Sequence, residues 1–248
     1  MIPMGLVHIH CFPDDDALAA AAAAAWLDAI VAARVADHGF SVALSGGRVM
    51  RKFLVAAATR TAAGAGDISQ VHFFWADERC VPPDDAESNF RLANEALLRA
   101  ARVPDEHVHR LRGEAPPATA ALTATREMRE FCRVVGEGMP ALDLVLLGMG
   151  EDGHVASLFP GDLGTDADVT SVFLPVLNAP KPPPHRLSLG HGPIAAARAV
   201  WVLASGTGKQ AALLDSLAKD GSTPLARVIQ GRALTTVFTD IGWCRTIV

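Results

Sequence analysis

Cations are scarce in this sequence of 248 residues and are not clustered: 22 Lys and Arg stand against 27 Asp and Glu, a formal net charge of -5. Scattered cations on an acidic chain give no field along which a nucleic-acid backbone could lie, so no nucleic-acid partner is expected. Any anionic ligand must be held by local groups. Cysteine is scarce as well. Cys11, Cys80, Cys132 and Cys244 lie far apart, with no CxxC and no His/Cys spacing of the kind that clips a metal. No metal site is expected, and the four are read as reduced thiols of a cytoplasmic protein. No uncharged apolar run approaches the roughly 18 residues of a membrane span, so no membrane partner is expected either. The Ala19 to Ala25 run follows Asp14-Asp15-Asp16, where a secretory signal would need positive charge. It is read as a helix, because carboxylates suit a helix N-terminus and alanine is the strongest helix former. Internal repeats, flexible linkers and composition shifts are absent too, which leaves residues 1–248 as one domain.

What is present is a hydrophobic share of 50%, enough for a sizeable core. Short apolar runs alternate with helical segments. Strands are expected at Leu6 to Cys11, Ser41 to Leu44, Val71 to Trp75, Val108 to Leu111, Leu142 to Leu147, Val169 to Leu174, Val200 to Ala204 and Leu234 to Phe238. Helices are expected near Asp14 to Asp37, Val49 to Arg60, Glu87 to Ala101, Thr119 to Val135 and Gly208 to Ala218. Such alternation predicts an α/β fold with a mostly parallel, Rossmann-like sheet and helices on both faces. Two stretches break the rhythm: the Pro82-Pro83-Asp84-Asp85 loop, and the long proline-rich segment Gly150 to Gly192.

Four motifs could carry chemistry. Ser45-Gly46-Gly47-Arg48 follows a strand and opens a helix, so its backbone N–H groups could cradle a phosphate. An ordinary glycine turn is the alternative. Trp75-Ala76-Asp77-Glu78-Arg79, with Glu87-Ser88-Asn89-Phe90, puts Asp77, Arg79 and Asn89 near a strand's carboxyl end. A solvated rim is the plain reading there, while an arginine at that edge could hold a carboxylate or steady an oxyanion. Gly148-Met149-Gly150-Glu151-Asp152-Gly153 imitates a dinucleotide fingerprint, but Pro160-Gly161 stops the segment too soon for the helix and second strand such a site needs. What the loop offers is Asp152 and His154, an acid and an imidazole two residues apart, which suits a general base. Finally, Arg186 and Lys209 are isolated cations. Gly206-Thr207-Gly208-Lys209-Gln210 fails as a P-loop, since Leu203 and Gln210 stand where glycine and Ser or Thr are required.

Taken together, these motifs closely resemble the 6-phosphogluconolactonase family, in the family's order and over nearly the whole chain. The most specific part is Gly148 through Gly161. The resemblance implies water opening 6-phospho-D-glucono-1,5-lactone, with no cofactor, and a small phosphosugar lactone as partner. It implies His154 as general base, Asp152 beside it and Arg79 near the substrate. Ser45, Gly46, Gly47, Arg186 and Lys209 would hold the phosphate, with Asp77 and Asn89 also lining the site. Arg48 departs from the Ser or Thr common at its position and could substitute with its own charge. The oligomeric state, monomer or homodimer, stays open.

Two rivals are weighed. An amino-sugar-phosphate isomerase-deaminase would carry an acid where Phe159 stands and usually tyrosine where Arg79 stands. A sugar-phosphate sensor of similar fold would normally carry a helix-turn-helix, for which the first strand near Leu6 leaves no room.

Overall fold

The computed structural model describes residues 5–36, 39–135, 138–161 and 171–242. In chain order the first half runs β1 (Leu6–Cys11), α1 (Asp15–Val35), β2 (Phe40–Leu44), α2 (Arg48–Ala62), β3 (Val71–Trp75), β4 (Asp77–Arg79), α3 (Asn89–Ala93) and α4 (Pro117–Phe131). Next come β5 (Arg133–Val135), β6 (Met139–Ala141), β7 (Leu144–Gly148), β8 (Phe173–Val176), β9 (Arg186–Leu189) and α5 (His191–Ala196). The chain continues with β10 (Ala199–Ala204), α6 (Gln210–Leu217), α7 (Pro224–Gln230) and β11 (Leu234–Thr239).

Six strands form a sheet in the order β1-β11-β10-β7-β2-β3, and every pairing in it is parallel. The expected α/β class with a parallel, helix-flanked sheet is therefore observed. All five residues of β2 are buried, as are Leu144 to Leu147 of β7. Such unbroken apolar runs suit strands covered on both faces. Asp143, just before β7, accepts from the Ser41 N–H at 2.9 Å and its hydroxyl at 2.8 Å, so the central strands are also tied at their starting end.

The alanine-rich segment is indeed helical. Asp14 caps α1 by accepting from the Ala17 N–H at 2.8 Å, with Asp15 and Asp16 in the first turn. By length and composition α1 could cross a membrane. Its Leu18, Trp26 and Ile30 are instead buried in the core, Trp26 lying 5.6 Å from Phe53 of α2 and 6.2 Å from Phe73 of β3. Lys52 of α2 reaches back to Asp15 and Asp16 at 2.7 Å each and fixes the angle between the helices.

The structure corrects several expectations. Val108 to Leu111 is not a strand: after a turn at Asp105–His107, only Val108 bridges to Phe73 at the sheet edge. The helix expected to Val135 stops at Phe131, because Cys132 turns to extended backbone and the β-branched Val134 and Val135 pair with β6 in a hairpin. The helix expected over Glu87 to Ala101 starts at Asn89 and widens into a π turn over Asn94–Leu98. The strand expected at Val169 to Leu174 is β8, four residues long, and residues 162–170 lie outside the described ones, as do Asp37 and Cys244. Cys80 and Cys132 are free, but Cys11 is disulfide-bonded, which overturns the reading of four reduced thiols. Spacing along the chain carries no information on which cysteines fold together.

A second, antiparallel sheet, β4-β9-β8, was not expected. Its strands have only three or four residues, and β4 and β9 carry charge, so no hydrophobic alternation announces the sheet. It pairs Asp77 with Ser188 and Arg79 with Arg186.

Beside the β3 edge lies a histidine cluster. His72 and His109 share a ring-nitrogen hydrogen bond of 2.9 Å, and the His107 ring lies 4.1 Å from that of His72. Burial first, then repulsion from His72 and His107, pushes His109 down to about 4. A depressed imidazole contributes stability above its ordinary titration range that is lost as pH falls toward about 4. Stability measured by urea unfolding should therefore decline from neutral pH toward pH 4, and His109→Gln should flatten that decline. An unaltered acid limb in His109→Gln would contradict this account.

Candidate active site

Parallel strands deliver their following loops at one edge, which is where open α/β sheets bind ligands. Here the residues after β2, β3, β7 and β10 surround one cavity of about 440 Å³. Ser45, Gly46, Gly47, Arg48, Asp77, Arg79, Asn89, His154, Arg186 and Lys209 all line it. Asp152 does not; it lies behind His154.

The chain after β7 bends back on itself, the Gly150 N–H donating to the His154 carbonyl at 2.9 Å. His154 Nδ1 meets Asp152 Oδ1 at 2.5 Å, and the same oxygen accepts from the His154 N–H at 3.2 Å. Gly150 is required here, because a β-carbon on it would overlap His154 Nδ1 and Asp152 Oδ1. Burial alone would raise the Asp152 carboxyl, but the hydrogen bond and attraction to His154 outweigh it and hold it below the ordinary carboxylate range. With Nδ1 occupied by an acceptor, Nε2 is the nitrogen left for other chemistry. Phe159 packs beneath the imidazole, ring centres 4.7 Å apart.

The opposite wall is built on Glu78, a side chain only 2% exposed. Its Oε1 accepts from the Arg79 and Asn89 N–H groups at 2.7 Å each, and its Oε2 from the Phe90 N–H at 2.7 Å and the Ser88 hydroxyl at 3.1 Å. Burial pushes this carboxyl up to about 7 against the pull of those donors. Asn89 in turn donates to the Asp77 carbonyl at 2.9 Å, and Asp77 accepts from the Ser157 hydroxyl at 2.8 Å. Arg79 gives Nη1 to the Glu87 carbonyl at 2.7 Å, while its buried Nε has no partner.

The third wall is cationic. Gly47, at φ 99°, precedes α2, whose first turn has no acid and no side-chain cap, so its N–H groups are open to a ligand. Ser45 Oγ is not: it donates to the Leu146 carbonyl at 2.8 Å. Asp240 shapes the facing turn by accepting from the Ser205 hydroxyl and the Gly206 N–H, both at 2.9 Å. Burial, then repulsion from Arg48, pushes the Lys209 ammonium down. Burial, then Arg79, does the same to Arg186. Among the described residues, Arg48, Lys181 and Lys209 form no ion pair.

Motif reading missed Glu78, Ser157 and Asp240, which support the site from behind, and Lys181, Glu151 and Ser205, which line it. Glu78, Glu151 and Ser157 stood inside the motifs above and Lys181 in the long proline-rich segment, but nothing in their identity marked these roles; Asp240 lay outside every motif.

This cavity gives an α/β protein a pocket lined by several cations at the carboxyl edge of its sheet, with an acid–imidazole pair against it. The chain belongs to the family of glucosamine-6-phosphate isomerases and 6-phosphogluconolactonases, which matches it over residues 13–238. It is 35% identical over 225 residues to the 6-phosphogluconolactonase of Mycobacterium tuberculosis, covering 88% of each chain. Identity to that of Streptomyces coelicolor is 36% over 234 residues, covering 92% of this chain and 89% of the relative. The solved 6-phosphogluconolactonase of Trypanosoma brucei superimposes with a TM-score of 0.86 at 26% identity, over 98% of this chain and all of that one, 100%.

Glu78→Gln should be costly, because the amide nitrogen would face backbone N–H donors. A buried donor left unsatisfied costs about 1–3 kcal/mol. The expected outcome is a stability loss of that size by denaturant unfolding, with unchanged stability counting against the assignment.

Proposed function

We propose that this protein hydrolyses 6-phospho-D-glucono-1,5-lactone to 6-phosphogluconate, the second step of the oxidative pentose phosphate pathway. The observation that carries the reading is the 2.5 Å pairing of His154 with Asp152 on the wall of a cavity whose far end is cationic. One end suits proton transfer and the other a phosphate dianion.

In this mechanism the phosphate lies against the α2 N-terminus, Gly46, Gly47, Arg48 and Lys209, which places the lactone carbonyl between Arg79 and His154. Nε2 of His154 takes a proton from water as the water oxygen bonds to the carbonyl carbon. The negative charge gathers on the former carbonyl oxygen, where the positive charge of the Arg79 guanidinium lining the cavity stabilises it. As the tetrahedral intermediate collapses, the bond from that carbon to the ring oxygen breaks, and the imidazolium returns its proton to the ring oxygen. Asp152 acts through His154: it fixes the tautomer and stabilises the imidazolium. Phe159 offers no proton, which supports hydrolysis over isomerisation.

His154→Ala should bind the substrate and lose about 10²- to 10⁴-fold in kcat, the usual range for general acid-base assistance. Lactone assays at slightly acidic pH, where the spontaneous background is low, check this. Wild-type turnover in His154→Ala would refute the role. Asp152→Asn should lower kcat while leaving KM close to wild type, and a change confined to KM would show that Asp152 acts on binding instead. Ammonia release from glucosamine 6-phosphate, or tight phosphosugar binding without lactone turnover, would overturn the activity itself.

A further inference from the structure

Arg186 is a deeply buried cation at 5% exposure, and its guanidinium is already engaged. Nε donates to the Pro183 carbonyl at 3.0 Å, and Nη2 to the Lys181 carbonyl at 2.9 Å and the Pro182 carbonyl at 3.4 Å. The Phe159 ring lies beneath it, 5.6 Å from its central carbon. Prolines have no N–H, so Pro182, Pro183 and Pro184 have only backbone carbonyls to offer, and one guanidinium fork gathers those of Lys181, Pro182 and Pro183 in a row. The same segment is held at its flanks: Ala179 N–H donates to the Pro184 carbonyl and Cys80 N–H to the His185 carbonyl, both at 2.9 Å. Ala179 also packs with Phe159 and Val176 in a small apolar cluster. The segment is thus a braced strap along the cavity. Its one cationic side chain, Lys181, lines the cavity beside Pro182. Lys181 forms no ion pair among the described residues, and it is near enough to Lys209 to help push that ammonium down.

We propose that Lys181 is a further phosphate-contacting residue, and that Arg186 is a positioning residue that holds the Lys181 strap rather than itself gripping the phosphate. The proposal rests on the lactonase reading and changes how its anion end is built. The ammonium closes over a phosphate seated between the α2 N-terminus and Lys209, on the side that neither of those covers. Arg186 contributes by keeping the strap carbonyls turned inward, which leaves the Lys181 side chain over the cavity.

The decisive variant is Lys181→Met, which removes charge from an exposed position at similar length. A charge-assisted contact is expected to be worth about tenfold in affinity. KM for the phosphorylated lactone should therefore rise about tenfold with kcat little changed, and hydrolysis of unphosphorylated glucono-1,5-lactone should be unaffected. Inorganic phosphate, titrated calorimetrically into wild type and Lys181→Met, should show the same loss without any turnover. Equal phosphate affinity in the two, no phosphate binding by wild type, or equal loss on both lactones would each overturn the assignment. Absence of lactone hydrolysis by wild type would defeat the activity instead, and the phosphate titration would still decide Lys181. Arg186→Lys should raise KM in the wild-type background but add little in the Lys181→Met background. Full additivity of the two substitutions would show that Arg186 grips the phosphate directly.

Discussion

The constraint on which the rest of the structure depends is that all six strands of the central sheet run in one direction. A parallel sheet needs covering on both faces, so its central strands β2 and β7 are almost wholly apolar and leave little room for chemistry within their length. Whatever is polar and specific must come after the strands end, and all of them end on the same side. Ser45, Asp77, Gly150 and Ser205 are far apart in sequence, yet each follows its strand by no more than two residues. The cavity is the space their loops enclose.

Within that frame, buried carboxylates do the local arranging. Glu78 gathers four donors from Arg79 and the start of α3, Asp77 joins Asn89 to Ser157, and Asp240 folds the turn that presents Lys209. A carboxylate accepts in several directions at once, so a single side chain can order a loop that has no regular structure. Of the cavity's cations, Arg79 and Arg186 are engaged by backbone carbonyls, whereas Arg48, Lys181 and Lys209 form no ion pair among the described residues.

How much of this was legible in the sequence follows from the range of each interaction. The acid–imidazole pair was legible because Asp152 and His154 are two residues apart and one glycine allows the bend. The glycine pattern around them imitates a dinucleotide fingerprint, yet Gly150 makes room for the pair and not for a pyrophosphate. The central strands were legible because burial on both faces leaves a continuous apolar run. The β4-β9-β8 sheet was not, since its strands are short, β4 and β9 are charged, and those two pair across more than a hundred residues. Glu78 reads as one more charge in a polar stretch, and its burial shows only in three dimensions. Val108 to Leu111 misled for the opposite reason: it has a strand's composition but forms only a single bridge, Val108 with Phe73, and no ladder. Arg186 lines the cavity, but its engagement with the strap carbonyls could not be read from its identity.

Phe159 touches the His154 ring on one side and the Arg186 guanidinium on the other. At the level of motif it is only a position where an isomerase of this family would carry an acid. In the folded chain it also packs against both the imidazole of the acid–imidazole pair and the arginine that holds the strap. A substitution at 159 would therefore change the surroundings of the imidazole and the support of the strap arginine in the same step.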